Sequence, residues 1–368
     1  MGHRRAAVAV APDGGVHTGL RAGSEAGAPA AAGIAVVVFR AMPLPTAADF
    51  HDAAARIAPF VFRTPLVRLP LAGGDPVYAK AENLQRTGSF KLRGATNFLA
   101  RLEPEVRARG VVTHSSGNHA QGLACAAADH GVPAAIVIPH GAPEVKVART
   151  LAWGARVERC DNAKVAREET AARLADELGA TVVPPYDHPW ILEGQGTVGL
   201  EILEGLPDVA NVLVCVGGGG LLAGIAGALR ASGCEALIVG VEPELAADAR
   251  ESFVRGEIVA WPAEDVVRTV ADGVRTQALG VHTFAVIRET VDAFVTVSEN
   301  AILDAAAWYL REAHLTVEPT GALALAAYHA LRRGEGPVRL RPGPTVVLVS
   351  GGNADPALLV ELARRPLG

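Results

Sequence analysis

The sequence has 368 residues, of which 50% are hydrophobic, and its formal net charge is −5. A chain of this length can bury a large core, and we expect it to divide into two lobes. The mixed charges give no basic surface for nucleic acid, and no apolar run reaches the roughly 20 residues that a membrane helix needs. The four cysteines stand far apart without a C-x-x-C pair, which argues against disulfides or a zinc site and predicts a cytoplasmic protein.

The first 45 residues differ in composition from the rest of the chain. They are rich in alanine, glycine and valine and carry no strong helical period. Pro12 and Asp13 interrupt the weakly apolar stretch that follows Arg4 and Arg5, so this stretch does not read as a signal peptide. We expect residues 1–45 to form a disordered N-terminal extension.

Short β-branched runs alternate with alanine-rich helical segments from about Leu66 onward. The predicted strands are 134–139, 156–160, 211–216, 237–241 and 345–350, and the predicted helices are 142–153, 162–178, 219–231 and 302–313. Strands that are apolar throughout and separated by helices of this length are typical of βαβ units in buried sheets. The sequence therefore predicts an α/β fold with mostly parallel sheets.

Clusters of glycine, serine and asparagine mark several of the predicted junctions between strands and helices. The clusters span residues 89–95, 115–121, 217–220 and 350–353. Ligands of open α/β sheets bind outside the carboxyl ends of the strands, where such junctions lie. We therefore expect the functional site to be built from these four clusters.

Residues 217–220 are four successive glycines between a predicted strand and an apolar helix. The backbone N–H groups of such a loop can turn inward around an anion, and the start of the helix adds positive dipole, so a phosphate group fits. The run Gly218-x-Gly220-x-x-Ala223, with Glu242 after the next strand, also satisfies the dinucleotide fingerprint. The loop by itself therefore leaves a nicotinamide-dependent oxidoreductase open.

Lys91 carries the strongest local signal, in the run Thr87-Gly-Ser-Phe-Lys-Leu-Arg-Gly-Ala95. A lysine amine forms a Schiff base with an aldehyde once it is partly deprotonated, and an apolar pocket or a neighbouring cation promotes that deprotonation. Phe90 offers an apolar neighbour and Arg93 a positive charge. A lone lysine is more often a solvated surface residue, so the assignment of Lys91 as a Schiff-base lysine depends on the other motifs of the chain.

Four runs occur in a fixed order along the chain: Ser-Phe-Lys-x-Arg-Gly-Ala, Ser-Ser-Gly-Asn-His-x-Gln, Gly-Gly-Gly-Gly and Ser-Gly-Gly-Asn. This set closely resembles the fold-type II pyridoxal-phosphate (PLP) enzymes, in the threonine/serine dehydratase and serine racemase family. The resemblance extends from about Thr64 to Asn353 and includes Gly194-Gln-Gly-Thr197 and Glu318-Pro-Thr-Gly321. It implies a tryptophan synthase β-like fold of two α/β lobes with the cofactor in the cleft between them.

The resemblance also implies how the chain divides. A large PLP-binding domain would combine residues 46–108 with 188–368, and a small domain would span residues 109–187. Only a short helix is expected after Asn353, so we expect no C-terminal regulatory domain. A homodimer is expected by the same resemblance.

The roles of individual residues follow from the resemblance alone. Lys91 would carry the cofactor and remove the proton from the substrate Cα, and Phe90 would lie against the cofactor ring. Asn118 would meet the 3-hydroxyl, and Ser350 the pyridine nitrogen. The phosphate would be held by Gly217, Gly218, Gly219 and Gly220, and the substrate carboxylate by Ser115, Ser116, Gly117, Asn118 and His119.

Two residues bear on the position of this chain within the family. Ser116 resembles the serine of the racemase and hydroxyaspartate dehydratase branch, where a hydroxyl on the face opposite Lys91 could exchange a proton as racemisation requires. The alternative is that Ser116 only hydrogen-bonds the substrate or cofactor. Arg167 resembles an arginine that reaches a second substrate carboxylate, a task that suits a guanidinium; the alternative is a solvated helix charge.

The run Glu242-Pro-Glu-Leu-Ala246-Ala-Asp248 resembles the divalent-cation site of the family. Glu242, Asp248 and the Ala246 carbonyl would supply the hard oxygen ligands that Mg²⁺ or Ca²⁺ prefers. A solvated acidic loop is the alternative. A cation role for Glu242 also weakens the interpretation in which it binds a ribose.

The sequence thus predicts a PLP-dependent ammonia-lyase that converts L-threonine and L-serine, small hydroxylated amino acids, to 2-oxobutanoate and pyruvate with release of ammonia. Serine racemase and 3-hydroxyaspartate dehydratase are the alternatives within the fold. A nicotinamide-dependent oxidoreductase is the alternative from another class.

Overall fold

A computed structural model describes residues 43–115, 117–142, 144–161 and 164–366. Ser116 and most of the predicted N-terminal extension, residues 1–42, lie outside the described residues. Two sheets with helices around them organise the described part of the chain. The predicted α/β class with mostly parallel sheets is confirmed.

The larger sheet has six strands, β1 (Leu66–Arg68), β2 (Val77–Ala81), β7 (Asn211–Cys215), β8 (Leu237–Pro243), β9 (Ala293–Val297) and β10 (Thr345–Val349). They lie in the order β1-β2-β10-β7-β8-β9. β1 pairs with β2 in antiparallel register, and the other neighbours are parallel. Every residue of β7, β8 and β10 is buried, as expected for parallel strands covered on both faces.

The smaller sheet has four parallel strands, β3 (Val111–His114), β4 (Ala134–Pro139), β5 (Arg156–Cys160) and β6 (Thr181–Val182). They lie in the order β5-β4-β3-β6. The core of this sheet is separate from that of the larger one and is built from residues such as Val112, Ile136 and Val137. The domain boundaries at 108/109 and 187/188 remain a prediction.

The helices that cover the first half of the chain are α1 (Ala47–Ile57), α2 (Lys91–Arg101), α3 (Pro104–Ala108), α4 (Asn118–Asp129), α5 (Glu144–Leu151), α6 (Lys164–Leu178) and α7 (Pro189–Gly205). The later ones are α8 (Gly220–Ala231), α9 (Asp248–Arg255), α10 (Ala263–Val266), α11 (Val281–Thr290), α12 (Glu299–Arg311), α13 (Pro319–Arg332) and α14 (Pro356–Arg364). Short 3₁₀ turns stand at Glu82–Leu84 and Asp272–Val274. No helix of the described residues is both long and apolar enough to cross a membrane.

The boundaries of α12 differ from the predicted helix 302–313. The helix begins at Glu299 because the side chain of Ser298 accepts a hydrogen bond from the N–H of Ala301, at 3.3 Å, and so caps the first turn. It ends at Arg311. A serine before an apolar run is a signal for the start of a helix, and Ser298 provides it here.

The parallel strands place the four predicted clusters at the carboxyl edges of the two sheets. Ser350 follows β10, Gly217 comes two residues after Cys215 at the end of β7, and Ser115 follows β3. Lys91 begins α2, which packs against α4 and α7. The fold therefore gathers residues from distant parts of the sequence into one region.

Candidate active site

Lys91 is the first residue of α2, and its Nζ donates a hydrogen bond to the carbonyl of Pro185 at 2.6 Å. The amine lies 5.1 Å from the centre of the Phe90 ring. Burial lowers the pKa of Lys91 to about 8, while the neighbouring thiol of Cys215 opposes that shift. A lysine with a lowered pKa supplies more neutral amine at physiological pH, which is the form that attacks an aldehyde.

The segment before Lys91 is joined to the segment after β10. The Phe90 N–H donates to the Ser350 carbonyl at 3.2 Å, and the Gly352 N–H donates to the Gly88 carbonyl at 2.9 Å. Ser89 and Gly351 form an isolated antiparallel bridge. These contacts fix the lysine and the Ser350 region relative to each other.

The hydroxyl of Ser350 is buried and has no oxygen or nitrogen partner among the described residues; the Cys215 thiol is close enough to share a weak hydrogen bond with it. It lies beside the thiol of Cys215, whose pKa burial raises to about 11, so that the thiol stays neutral. A buried hydroxyl without a partner costs free energy unless a ligand completes its bonding. Ser350 is therefore available to a polar ring atom next to Lys91.

The glycine loop at residues 217–220 leads directly into α8. Gly219 takes a φ of 90°, a left-handed conformation that favours glycine. A Cβ at Gly218 would lie 2.5 Å from the Tyr186 ring, and one at Gly220 would lie 3.0 Å from Tyr186. The first N–H groups of a helix lack partners within that helix, so this loop is suited to bind an anion.

The start of α4 contributes the third predicted cluster. The Gly117 N–H donates to the Ser115 hydroxyl at 3.4 Å, and Asn118 opens the helix. The Asn118 side chain donates to Glu318 at 2.7 Å, and its oxygen accepts from the Asn353 side chain at 2.8 Å. Both the NH₂ group and the oxygen of the Asn118 amide therefore have a partner. One N–H and one oxygen lone pair remain for a ligand.

Glu318 is a buried residue of this site to which the sequence analysis gave no role. Burial raises its pKa to about 7, with a further contribution from the charge of Asp272. A Cβ at Gly351 would lie 2.5 Å from the Glu318 carboxylate, so the acid lies directly against the segment after Ser350. The run Glu-Pro-Thr-Gly was noticed in the sequence, but nothing in it indicated that the glutamate is buried.

Through its ring, His119 contacts the main chain that follows β6. Its ring nitrogen lies 3.3 Å from the Val183 carbonyl, and its side chain is buried. Burial lowers the pKa of His119 to about 3, and the charge of Lys91 adds to this effect. The imidazole is therefore neutral, and the role of His119 toward a substrate carboxylate stays a prediction.

Two contacts link α5 to segments outside the smaller sheet, the 3₁₀ turn at Asp272–Val274 and the segment after β10. The Lys146 amine pairs with Asp272, and the Arg149 guanidinium donates to the Asn353 side chain at 2.9 Å. Because Asn353 in turn donates to Asn118, the smaller sheet is tied to the candidate site by side chains as well as by the main chain.

Arg167 lies in α6, where its charge acts on Cys160. Its Nε is buried and makes no hydrogen bond among the described residues. No described hydrogen bond links Arg167 to Lys91 or to the start of α4, so its role toward a second carboxylate remains a prediction.

Glu242 and Asp248 meet at the end of β8. The Glu242 carboxylate accepts from the N–H groups of Ala249, at 3.0 Å, and Arg250, at 2.6 Å. Asp248 Oδ2 is buried without a hydrogen bond within the described residues. Burial raises the pKa of both carboxyls, that of Asp248 to about 7. No group of three or more His, Cys, Asp or Glu side chains in the described part could hold a metal ion.

Comparison with known proteins decides the family. The model of the family described as "Pyridoxal-phosphate dependent enzyme" matches residues 57–351. The chain belongs to this family. Serine racemase of Schizosaccharomyces pombe is 42% identical over 85% of this chain and 95% of its own length.

Two further relatives show the spread of activities among these PLP-dependent enzymes. L-threo-3-hydroxyaspartate ammonia-lyase of a Pseudomonas species is 44% identical over 83% of this chain and 96% of its own. The crystal structure of threonine deaminase from T.th. superposes with a TM-score of 0.78 and 44% identity, over 84% of this chain and 99% of that one. Racemases and lyases are therefore both among the similar proteins. Because the chain belongs to a PLP-dependent family, the alternative of a nicotinamide-dependent oxidoreductase is wrong.

The described residues fit the cofactor of the family. The orphaned hydroxyl of Ser350, the glycine loop before α8 and the amine of Lys91 offer partners for the polar atom of a ring, a phosphate and an aldehyde. These three features lie in three of the four clusters that the sequence singled out. The residue-by-residue assignment stays a prediction.

Proposed function

We propose that the protein is an ammonia-lyase that converts L-threonine and L-serine to 2-oxobutanoate and pyruvate with release of ammonia. The observation that carries the proposal is Ser350: its buried hydroxyl has no oxygen or nitrogen partner among the described residues, it lies against the Cys215 thiol, and its main-chain carbonyl bonds to Phe90, the neighbour of Lys91. A hydroxyl is a weaker partner for a pyridine nitrogen than a carboxylate, which moderates electron withdrawal and favours prompt loss of the β-hydroxyl over a long-lived carbanion.

Each residue of the proposed site has a defined task. When bound, PLP supplies the electron sink that stabilises negative charge at the substrate Cα. Lys91, with its lowered pKa, takes the proton from Cα. The N–H groups at the start of α4 bind the substrate carboxylate, supported by the helix dipole. Asn118, fixed by Glu318 and Asn353, orients the cofactor edge.

The names of the relatives support serine racemase and hydroxyaspartate ammonia-lyase as second candidates. Racemisation needs a proton donor on the face opposite Lys91, and Ser116 is the residue that would serve there. Elimination needs only the Lys91 face, because no proton returns to Cα. The two activities therefore make different demands on Ser116.

A substrate panel tests the proposed function. The holoenzyme is incubated with L-threonine, L-serine and L-threo-3-hydroxyaspartate, and 2-oxo acid, ammonia and D-serine are measured in parallel. We expect release of 2-oxobutanoate and pyruvate to exceed formation of D-serine. Ser116→Ala should abolish D-serine formation, whereas dehydration should survive, slower by about tenfold to a thousandfold where the hydroxyl also holds the substrate.

Two outcomes would contradict the proposal. Formation of D-serine faster than release of pyruvate would make racemisation the main activity. Activity confined to hydroxyaspartate would assign the protein to that substrate instead. The two-face argument fails if Ser116→Ala still inverts L-serine at the parental rate.

We also propose a divalent cation at Glu242, Asp248 and the Ala246 carbonyl. The support is the unpartnered Asp248 Oδ2 and the raised pKa of both buried carboxyls, since a cation would relieve the repulsion between them. The Glu242 oxygens already accept two backbone N–H groups, so each has one remaining lone pair for a cation.

Added cation should raise the melting temperature of the parent protein. A ligand that binds only the folded state stabilises it by about 2.7 kcal/mol at a hundredfold excess over its Kd. Mg²⁺ and Ca²⁺ are titrated in a thermal melt of metal-free protein, and Asp248→Asn should remove the response. Asp304→Asn, an exposed acid paired with Arg365, is the control and should keep it. A parent protein that does not respond to either cation would remove the site.

A homodimer and a cytoplasmic location remain predictions from the family resemblance and the cysteine pattern. The oligomeric state is read most directly from light scattering of the purified holoenzyme. A mass of one protomer at working concentration would contradict the predicted dimer.

A further inference from the structure

We infer that Asp187 is a positioning residue that fixes the glycine loop in the shape required to bind phosphate. The sequence analysis gave Asp187 no role, and no comparison assigns it one. The inference rests on membership of the PLP-dependent family and on the proposed phosphate role of residues 217–220. It does not depend on which amino acid is the substrate.

The Asp187 carboxylate caps a helix that belongs to a different part of the chain. Its oxygens accept hydrogen bonds from three successive N–H groups at the start of α11: Val281 at 2.9 Å, His282 at 2.8 Å and Thr283 at 3.1 Å. A Cβ at Gly280 would lie 2.1 Å from the Asp187 side chain, so only glycine leaves room for this approach. The residue preceding α11 provides no side-chain cap of its own.

The first turn of α11 in turn holds the glycine loop. The Thr283 hydroxyl lies 2.8 Å from the Gly218 carbonyl, its nearer acceptor, and 3.0 Å from the Gly280 carbonyl, and the Gly280 N–H approaches the Gly218 carbonyl at 3.4 Å. In a trans peptide the C=O and the following N–H point in opposite directions. Holding the Gly218 carbonyl toward α11 therefore turns the Gly219 N–H away from α11, to the opposite side of the loop.

Charge supports the same assignment. Two helices, α8 and α11, begin next to the glycine loop, and each helix start attracts an anion. The Asp187 carboxylate occupies the start of α11, which leaves the start of α8 for a phosphate. The protein thus directs an incoming anion to one of two neighbouring helix termini.

The two residues before Asp187 contact the rest of the site. The Pro185 carbonyl accepts from Lys91, the Tyr186 ring lies against Gly218, and the main chain and Cβ of Tyr186 lie against Gly220. A shift of Asp187 would therefore move the contacts to the lysine and to the loop together. This coupling distinguishes Asp187 from an ordinary helix cap.

Asp187→Asn is the variant that tests the inference. The amide oxygen of asparagine can still accept hydrogen bonds from α11, but its NH₂ group cannot accept one, and the negative charge is lost. Loss of a helix cap costs a free energy that is equivalent to a roughly threefold to thirtyfold change in a binding constant.

The readout is the dissociation constant of PLP, measured by absorbance titration of the apoprotein and compared with that of pyridoxal, which lacks the phosphate. We expect Asp187→Asn to weaken PLP binding by about tenfold and pyridoxal binding by less than about twofold. Asp49→Asn is the matched control, because Asp49 accepts the Thr46 N–H at the start of α1, at 2.8 Å. It should leave both constants unchanged.

Thr283→Val provides a second test that does not depend on the folding of Asp187→Asn. It removes the hydroxyl that holds the Gly218 carbonyl and should reproduce the loss that is specific to PLP. Equal weakening of PLP and pyridoxal, or no weakening beyond that of Asp49→Asn, would overturn the inference. Absence of 2-oxo acid release by the parent protein would instead contradict the proposed lyase activity, and the comparison of PLP with pyridoxal would still decide the role of Asp187.

Discussion

Lys91→Ala is expected to abolish turnover and the covalent attachment of the cofactor. The amine is the group that would bond to the cofactor aldehyde and take the proton from Cα, and loss of a general base alone costs roughly 10²–10⁴-fold in rate. The sequence has four lysines, Lys80, Lys91, Lys146 and Lys164, so borohydride reduction followed by peptide mapping gives an unambiguous answer. The label should fall on Lys91 in the parent protein.

Lys91→Arg is the control that keeps the positive charge but cannot form the bond to an aldehyde. It should fold, bind PLP weakly and remain unlabelled. A label on Lys80 or Lys146 in the parent would contradict the assignment. Those two amines form ion pairs, with Glu201 and Asp272, which occupy them with carboxylate partners.

The lowered pKa of Lys91 adds a pH dependence to the same experiment. Burial shifts the pKa down to about 8, so the fraction of neutral amine rises as the pH passes through that value. The rate at which the apoprotein takes up PLP should therefore increase from pH 7 to 9. A rate that is independent of pH over this range would show that the amine is not the limiting group.

The parallel strands and the glycine loop could be predicted from the sequence because their local pattern is sufficient. The strands at Ala134–Pro139 and Arg156–Cys160 have the predicted bounds, and β7 ends one residue earlier than predicted. Strands buried on both faces are continuous apolar runs, and glycine marks the turn that follows. These signals do not require knowledge of the neighbouring elements.

Helix α7 could not be predicted in the same way. Gly194, Gly196 and Gly199 lower its intrinsic helix propensity, yet all three lie within the helix. The structure shows why: a Cβ at Gly194 would lie 2.6 Å from the Cα of Gly94 in α2, and one at Gly199 would lie 2.9 Å from a carbonyl of α8. The glycines permit close packing between helices, and that reason appears only once the neighbours are known.

The site residues that were missed share a feature. Asp187 and Glu318 are acids whose partners lie far away in the sequence, at α11 and at Asn118. A single sequence shows an acid but not whether it is buried or which group it contacts. The motifs around Lys91 and Ser350 indicate roles for their residues because they combine rare residue types in a fixed order. Glu318 also stands in a run that resembles the family, but that run does not show which group the carboxylate contacts.

A buried ion network next to Lys91 is expected to contribute strongly to the stability of the fold. The Arg93 guanidinium, fully buried, pairs with Glu82 at 2.8 Å and with Glu201 at 2.6 Å. Lys80 also pairs with Glu201, and the Thr64 hydroxyl donates to Glu82. The network thereby ties the start of α2 to β2 and α7. The pKa of Glu82 stays below its usual value because Arg93 and Lys80 outweigh the effect of burial.

Arg93→Met should lower the free energy of unfolding by about 3–5 kcal/mol, because it leaves the buried Glu82 carboxylate without its principal partner. Urea denaturation of the apoprotein measures the loss. Arg173→Met is the matched control: its ion pair with Glu177 is exposed, and its removal should cost about 0.5 kcal/mol or less. The double variant Arg93→Met with Glu82→Gln should recover part of the stability, since the uncompensated charge is removed. An Arg93→Met protein as stable as Arg173→Met would show that the network does not hold α2, and with it Lys91, in place.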